Sequence, residues 1–79
     1  MEEKIKKIMS DVFLIDISTI NNSSSQDTIE NWDSIGHLNL ITSLEETYKI
    51  IFDEEEIIQM LNFELVCLIT IEKINSLKS

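Results

Sequence analysis

The chain has almost no means of turning sharply. Its 79 residues include no proline and a single glycine, Gly36. Tight turns and bulges lean on those two residues for a positive φ or a preset backbone, so a sheet of many short strands is disfavoured. Isoleucine and leucine dominate the apolar residues, and aromatics make up only 6% of the chain. This punctuation and composition fit a small helical protein. A chain of this length is expected to form one domain, residues 1–79. It buries only about 60–65% of the surface its unfolded form exposes, which leaves little room for a deep catalytic cleft.

Periodicity then locates the helices. Ile5, Ile8, Met9, Val12 and Phe13 recur at three- and four-residue steps, which predicts an amphipathic helix over residues 2–14. Glu2 and Glu3 fall in its first turn, where negative charge complements the dipole. Residues 15–33 lose the pattern, and Asn21-Asn22-Ser23-Ser24-Ser25 has the composition of a flexible surface loop. Ile15, Ile17, Ile20, Ile29 and Trp32 are expected to pin parts of that stretch to the core. Asp33 is a suitable N-cap for a second helix running to about Tyr48. Asp53 caps a third, with Glu56 at N3 and Phe52 and Ile57 placed as a hydrophobic staple. This helix is short, ending near Met60 or Leu61. Asn62 caps a fourth, with Leu61 and Val66 repeating the staple; it carries Val66, Ile69, Thr70, Ile74 and Leu77 and frays into a polar terminus. The expected fold is all-α, four helices with a long first loop and a short third helix.

Six lysines, no arginine and fifteen acids give a formal net charge of −9. With no basic patch to displace counterions, nucleic acid is excluded as a partner, and basic protein surfaces are favoured. Cys67 is the only cysteine, so no internal disulfide forms, and it reads as a small buried hydrophobe. Met1-Glu2-Glu3-Lys4 does not open a signal peptide, and no segment approaches the ~20 apolar residues that cross a bilayer. A cytoplasmic, monomeric protein without membrane insertion is expected.

The second helix is the informative one. Leu40, Ile41, Leu44 and Tyr48 share a broad face, with Leu38 at its edge, that should pack on the first and fourth helices. Ile35 falls on the opposite side beside Asn39, Thr42 and Glu46. It is either an ordinary chance or partly buried aliphatic at the helix start or the centre of a small docking surface rimmed by polar groups. His37 points toward the apolar side, as a packed ring at the rim of the core with one nitrogen solvated or hydrogen-bonded. No second His or a Cys stands near it to complete a zinc site, and the acid run Asp53-Glu54-Glu55-Glu56 lacks the spacing of a calcium loop. Asp33, Ser34 and His37 do not make a convincing catalytic triad. Asp33 is the cap, His37 faces the core, and no glycine-rich nest offers oxyanion donors. A serine at a helix start is nevertheless well suited to bear a phosphodiester, because unpaired amides and the positive dipole end stabilise the anion.

The stretch Trp32-Asp33-Ser34-Ile35-Gly36-His37-Leu38-Asn39-Leu40-Ile41 closely resembles the attachment motif of the acyl carrier protein and thiolation-domain family. The resemblance extends over nearly the whole chain, including Leu44-Glu45-Glu46 and the Phe52-Asp53-Glu54-Glu55 passage. It implies that the fold is the four-helix acyl-carrier-like bundle and that the protein is not itself an enzyme. It implies that a phosphopantetheinyl transferase joins the 4′-phosphopantetheine of coenzyme A to Ser34, with magnesium needed only during this loading. Asp33 would help present Ser34 to the transferase and its metal. Ile35, Asn39, Glu45 and Glu46 would form the surface that partners read. Tyr48, Phe52 and Met60 are candidates to line an acyl pocket. The arm's thiol would carry cargo as a thioester between an acyl- or aminoacyl-activating enzyme and a downstream acyltransferase, synthase or modifying enzyme.

Two departures refine the resemblance. Many fatty-acid carriers have an acid where this chain has Asn39 and a polar or acidic residue where it has Gly36, so the form resembles stand-alone carriers of specialised biosynthetic pathways. Asn31-Trp32-Asp33 also departs from the Gly-Gly-His/Asp element that usually precedes the serine of peptide-synthetase thiolation domains, which ranks an acyl cargo above an aminoacyl or peptidyl one. The remaining alternative is a helical adaptor without a covalent arm, in which Ser34 only caps and Ile35 only docks a partner.

Overall fold

In the computed structural model, which describes residues 1–78, four α-helices and one 3₁₀ turn enclose a single core. Helix α1 spans Glu2–Phe13, α2 Ser34–Tyr48, α3 Glu54–Gln59 and α4 Phe63–Lys78; the 3₁₀ turn covers Ile17–Thr19. The starts follow the expected caps. Asp33 accepts from the Gly36 amide at 2.7 Å, and Asn62 accepts from the Leu65 amide at 2.9 Å. Asp53 and Glu56 form a complete capping box, each side chain bonded to the other's backbone amide. The ends show the price of having one glycine. Leu14 closes α1 at φ 58° and Lys49 closes α2 at φ 58°, left-handed positions that glycine would take without steric penalty.

α1 and α2 run antiparallel. Lys4, at the start of α1, lies 5.6 Å from the ring centroid of Tyr48 at the end of α2. At the other end, the Asn31 side chain donates to the Phe13 carbonyl at 2.8 Å. Their apolar stripes meet through Ile5, Met9 and Phe13 on one side and Leu40, Ile41 and Leu44 on the other, all buried. Phe63, Val66, Cys67 and Thr70 bring α4 into the same core. Phe63 was not anticipated from periodicity; it sits on the first turn of α4, just past its cap. Leu61 remains 61% exposed while Val66 is buried, so the second expected staple does not close as the first does.

The long connection before α2 departs from expectation at Asn21–Ser25. This run is stitched, not free. Ser24 is buried, its hydroxyl accepts from the Asn21 amide, and its carbonyl accepts from the Phe63 amide at 2.8 Å. Ser25 pairs with Asn62 in an isolated antiparallel bridge. Short polar side chains that suggest a loop by composition also satisfy a backbone locally, which is what lets this segment stay against α4. Ile20, Ile29 and Trp32 are buried and Ile15 and Ile17 are partly so, as their spacing suggested.

Candidate functional site

Ser34 is the first residue of α2 and is exposed. Asp33 precedes it in an extended conformation, φ −96° and ψ −168°, which aims its carboxylate back over the helix start. The cap uses the Gly36 amide, and the His37 amide bonds to the Asp33 carbonyl at 2.8 Å. The amides of Ser34 and Ile35 are left without an intrahelical partner, pointing out of the helix start.

The segment ahead of Ser34 is held at three points. Asn31 ties it to the end of α1, as above. Trp32 is buried, with its ring 5.3 Å from that of Phe13 at an interplanar angle of 24°. Gly36 is buried against the Asn31 backbone, so closely that a Cβ there would run into the Asn31 carbonyl oxygen. The glycine therefore serves packing, and does not merely weaken the first turn. Its rarity in the chain was the available signal.

His37 differs from its expectation in one respect. It is half-buried at the rim of the core, but both ring nitrogens are engaged. Nδ1 faces the Trp32 indole Nε1 at 2.8 Å, and Nε2 faces the Ile57 carbonyl at 2.8 Å. With both nitrogens occupied, His37 is not available as a base for Ser34, which removes the triad geometry. Among the described residues, no group of three or more His, Cys, Asp or Glu side chains is arranged to hold a metal ion.

The other residues singled out by sequence divide into two sets. Ile35 is 72% exposed, and Asn39 and Glu46 are exposed on α2. Glu45 is half-buried, and its carboxylate accepts from the Phe52 amide at 2.9 Å, so it braces the α2–α3 connection where a surface acid was expected. The Glu45 carbonyl accepts from the Lys49 and Ile50 amides, so the same residue also closes the left-handed helix end. Phe52 and Met60 are core residues, and Tyr48 is partly buried against the same core. Two surface grooves, of about 190 and 310 Å³, are lined by other residues. The Tyr48 hydroxyl and the Thr70 hydroxyl are buried without a hydrogen-bond partner. Burial raises the Tyr48 phenol above its ordinary range, with the Cys67 side chain adding to the shift. The Cys67 thiol is pushed up to about 11, mainly by burial and next by Glu2, and so stays protonated as a core residue.

No family sequence model and no curated protein matches the chain. A solved structure does. The fold superposes with a TM-score of 0.85 on a holo acyl carrier protein from Geobacter metallireducens, determined by solution NMR. The two are 31% identical, over 95% of this chain and 86% of that one. The chain belongs to the acyl carrier protein family. Its four-helix bundle is the acyl-carrier architecture, and its general role is that of a non-catalytic carrier of thioester-linked cargo. No described helix of this carrier is long and apolar enough to cross a membrane.

Proposed function

We propose that this carrier bears 4′-phosphopantetheine on Ser34 and presents acyl cargo to successive enzymes of a specialised biosynthetic pathway. The observation that carries the proposal is Ser34 itself, an exposed hydroxyl on the first residue of α2 with the adjacent amides unpaired. A phosphodiester formed there gains two N–H donors and the positive end of a 15-residue helix. The group fits the residues present. A transferase would join the Ser34 Oγ to the phosphate nearest pantetheine in coenzyme A. The pyrophosphate bond breaks, 3′,5′-ADP leaves, and the serine proton passes to a base of the transferase. Asp33 directly precedes Ser34 and is the residue of this chain that would meet the transferase's magnesium. When bound, the arm supplies a terminal thiol for thioester linkage; the chain supplies a fixed attachment point and a raised local concentration of cargo. Ile35 and Asn39 near Ser34, with Glu46 further along α2, would form an apolar and polar surface for loading and unloading enzymes. The exposed Asn39 and the packed Gly36 support the specialised-pathway reading.

The test is mass spectrometry after incubation with coenzyme A, magnesium and several broad-specificity phosphopantetheinyl transferases. The wild-type protein is expected to gain one phosphopantetheine, and Ser34→Ala none, with unchanged helical circular dichroism. An unmodified wild-type protein across all transferases would overturn the proposal.

A further inference from the structure

The His37 imidazole sits between two groups that each allow only one role. An indole N–H can only donate, so Nδ1 must accept from Trp32; a backbone carbonyl can only accept, so Nε2 must carry the hydrogen it gives to Ile57. Together the two bonds select one neutral tautomer and fix the ring. One end of the bridge holds Trp32, two residues before Ser34. The other holds α3, across 20 positions of sequence.

α3 has little else to hold it. It spans six residues, none of them fully buried, and a helix that short is not stable alone. Its start is secured by the capping box. Its body is secured by Ile57 packed against the core and by Glu56, which pairs with Lys73 of α4 at 2.9 Å. At its end the last carbonyls lack intrahelical donors, and the Met60 amide reaches Ile57 only at 3.4 Å. The His37 Nε2–H supplies the missing donor from outside the helix. Since His37 lies on the first turn of α2, this places the last turn of α3 one imidazole away from the turn that bears Ser34. Ile35 on α2 and Ile58 on α3 are 72% and 65% exposed.

We propose that His37 is a positioning residue: it caps the end of α3 from α2 and locks α3 in register with the Ser34 turn, so that an enzyme approaching Ser34 meets both helices as one surface. The functional half of this inference rests on Ser34 being the attachment site; the structural half does not.

Three variants separate the bonds. His37→Phe keeps the ring volume and loses both. His37→Asn keeps an acceptor near the Nδ1 position for Trp32 and loses the Ile57 donor. His37→Gln keeps a donor near the Nε2 position and so offers rescue. Trp32 is the only tryptophan, so its indole N–H gives a single NMR signal that reports on the first bond. In His37→Asn that signal should stay near its wild-type position, while amide exchange at Ile57–Met60 quickens roughly three- to tenfold, the effect of one net hydrogen bond. His37→Gln should restore the slow exchange. In transferase loading of Ser34, KM for the carrier should rise by a similar factor in His37→Asn with kcat within about twofold, since the reacting atoms are untouched. Wild-type exchange at Ile57–Met60 in both His37→Asn and His37→Phe overturns the proposal, as does a loading defect confined to kcat. If His37→Phe unfolds, the Asn and Gln pair decides alone. If no variant or wild type is loaded, it is the Ser34 reading that fails, and the exchange data still decide the role of His37.

Discussion

A methyl group on Gly36 would collide with the Asn31 carbonyl oxygen, and that collision fixes which residue can stand two places after Ser34. Helix propensity alone favours alanine there by about 1 kcal/mol. The clash is with backbone, which cannot rotate away as a side-chain tip would, and overpacking of this kind costs about 1–3 kcal/mol. Set against that gain, the clash leaves Gly36→Ala destabilising by up to about 2 kcal/mol, seen as a lower urea midpoint with an unchanged slope. An unchanged or higher midpoint would show that the Asn31–Trp32 segment yields easily. The same segment explains why His37 was only half legible. Its tilt toward the apolar face follows from helical spacing, but its partners come from the segment before α2 and from α3. Glu45 shows the same limit. An acid on a helix surface looks like a recognition charge until a backbone amide, here that of Phe52, is folded over it.

At the scale of an element, α3 is the most clearly written and the least securely held. Asp53, Glu56, Phe52 and Ile57 lie within six consecutive positions, so the cap and staple are specified by local sequence. What holds the helix in place is distant: Lys73 from α4 and His37 from α2. The Glu56 hydrogen bond also raises the Lys73 pKa, which keeps that ammonium charged through the neutral range. Asp53→Ala removes the cap of the Glu56 amide and should cost about 1 kcal/mol. Because no residue of α3 is fully buried, most of that loss should appear as local opening: faster amide exchange at Glu56 and Ile57, with a smaller change in the global urea midpoint. Equal effects on α3 and on α2 amides would mean that α3 opens only when the whole domain does. The long connection before α2 shows the opposite balance. Composition marked it as loop, whereas its bonds to Phe63 and Asn62 hold it against the start of α4.

At the scale of the whole molecule, charge and size set the stability. A net charge of −9 on a chain of 79 residues favours expanded states through self-repulsion. Ion pairing among the described residues does little to offset this: that of Lys7 with Asp11 is exposed and contributes little. Raising sodium chloride from about 0.01 to 0.15 M shortens the screening length from roughly 30 to 8 Å. The thermal midpoint should therefore rise over that interval, measured by circular dichroism; a fall would mean that specific ion pairs outweigh repulsion. The sequence by itself determined the four helices, the caps of α2, α3 and α4, the shortness of α3, the outward direction of Ile35 and the Ser34 turn. All of these rest on interactions within a few residues, where spacing and side-chain chemistry are sufficient. Only the tertiary structure decided that Gly36 is a packing residue, that Glu45 braces a connection, and that His37 joins the Ser34 turn to α3. Each of those depends on which backbone group a side chain meets once the helices are docked, and helical periodicity gives the direction of a side chain without giving its neighbour. For the Ser34 turn, sequence supplied the residue that can carry an arm, and folding supplied the frame that holds it at the surface.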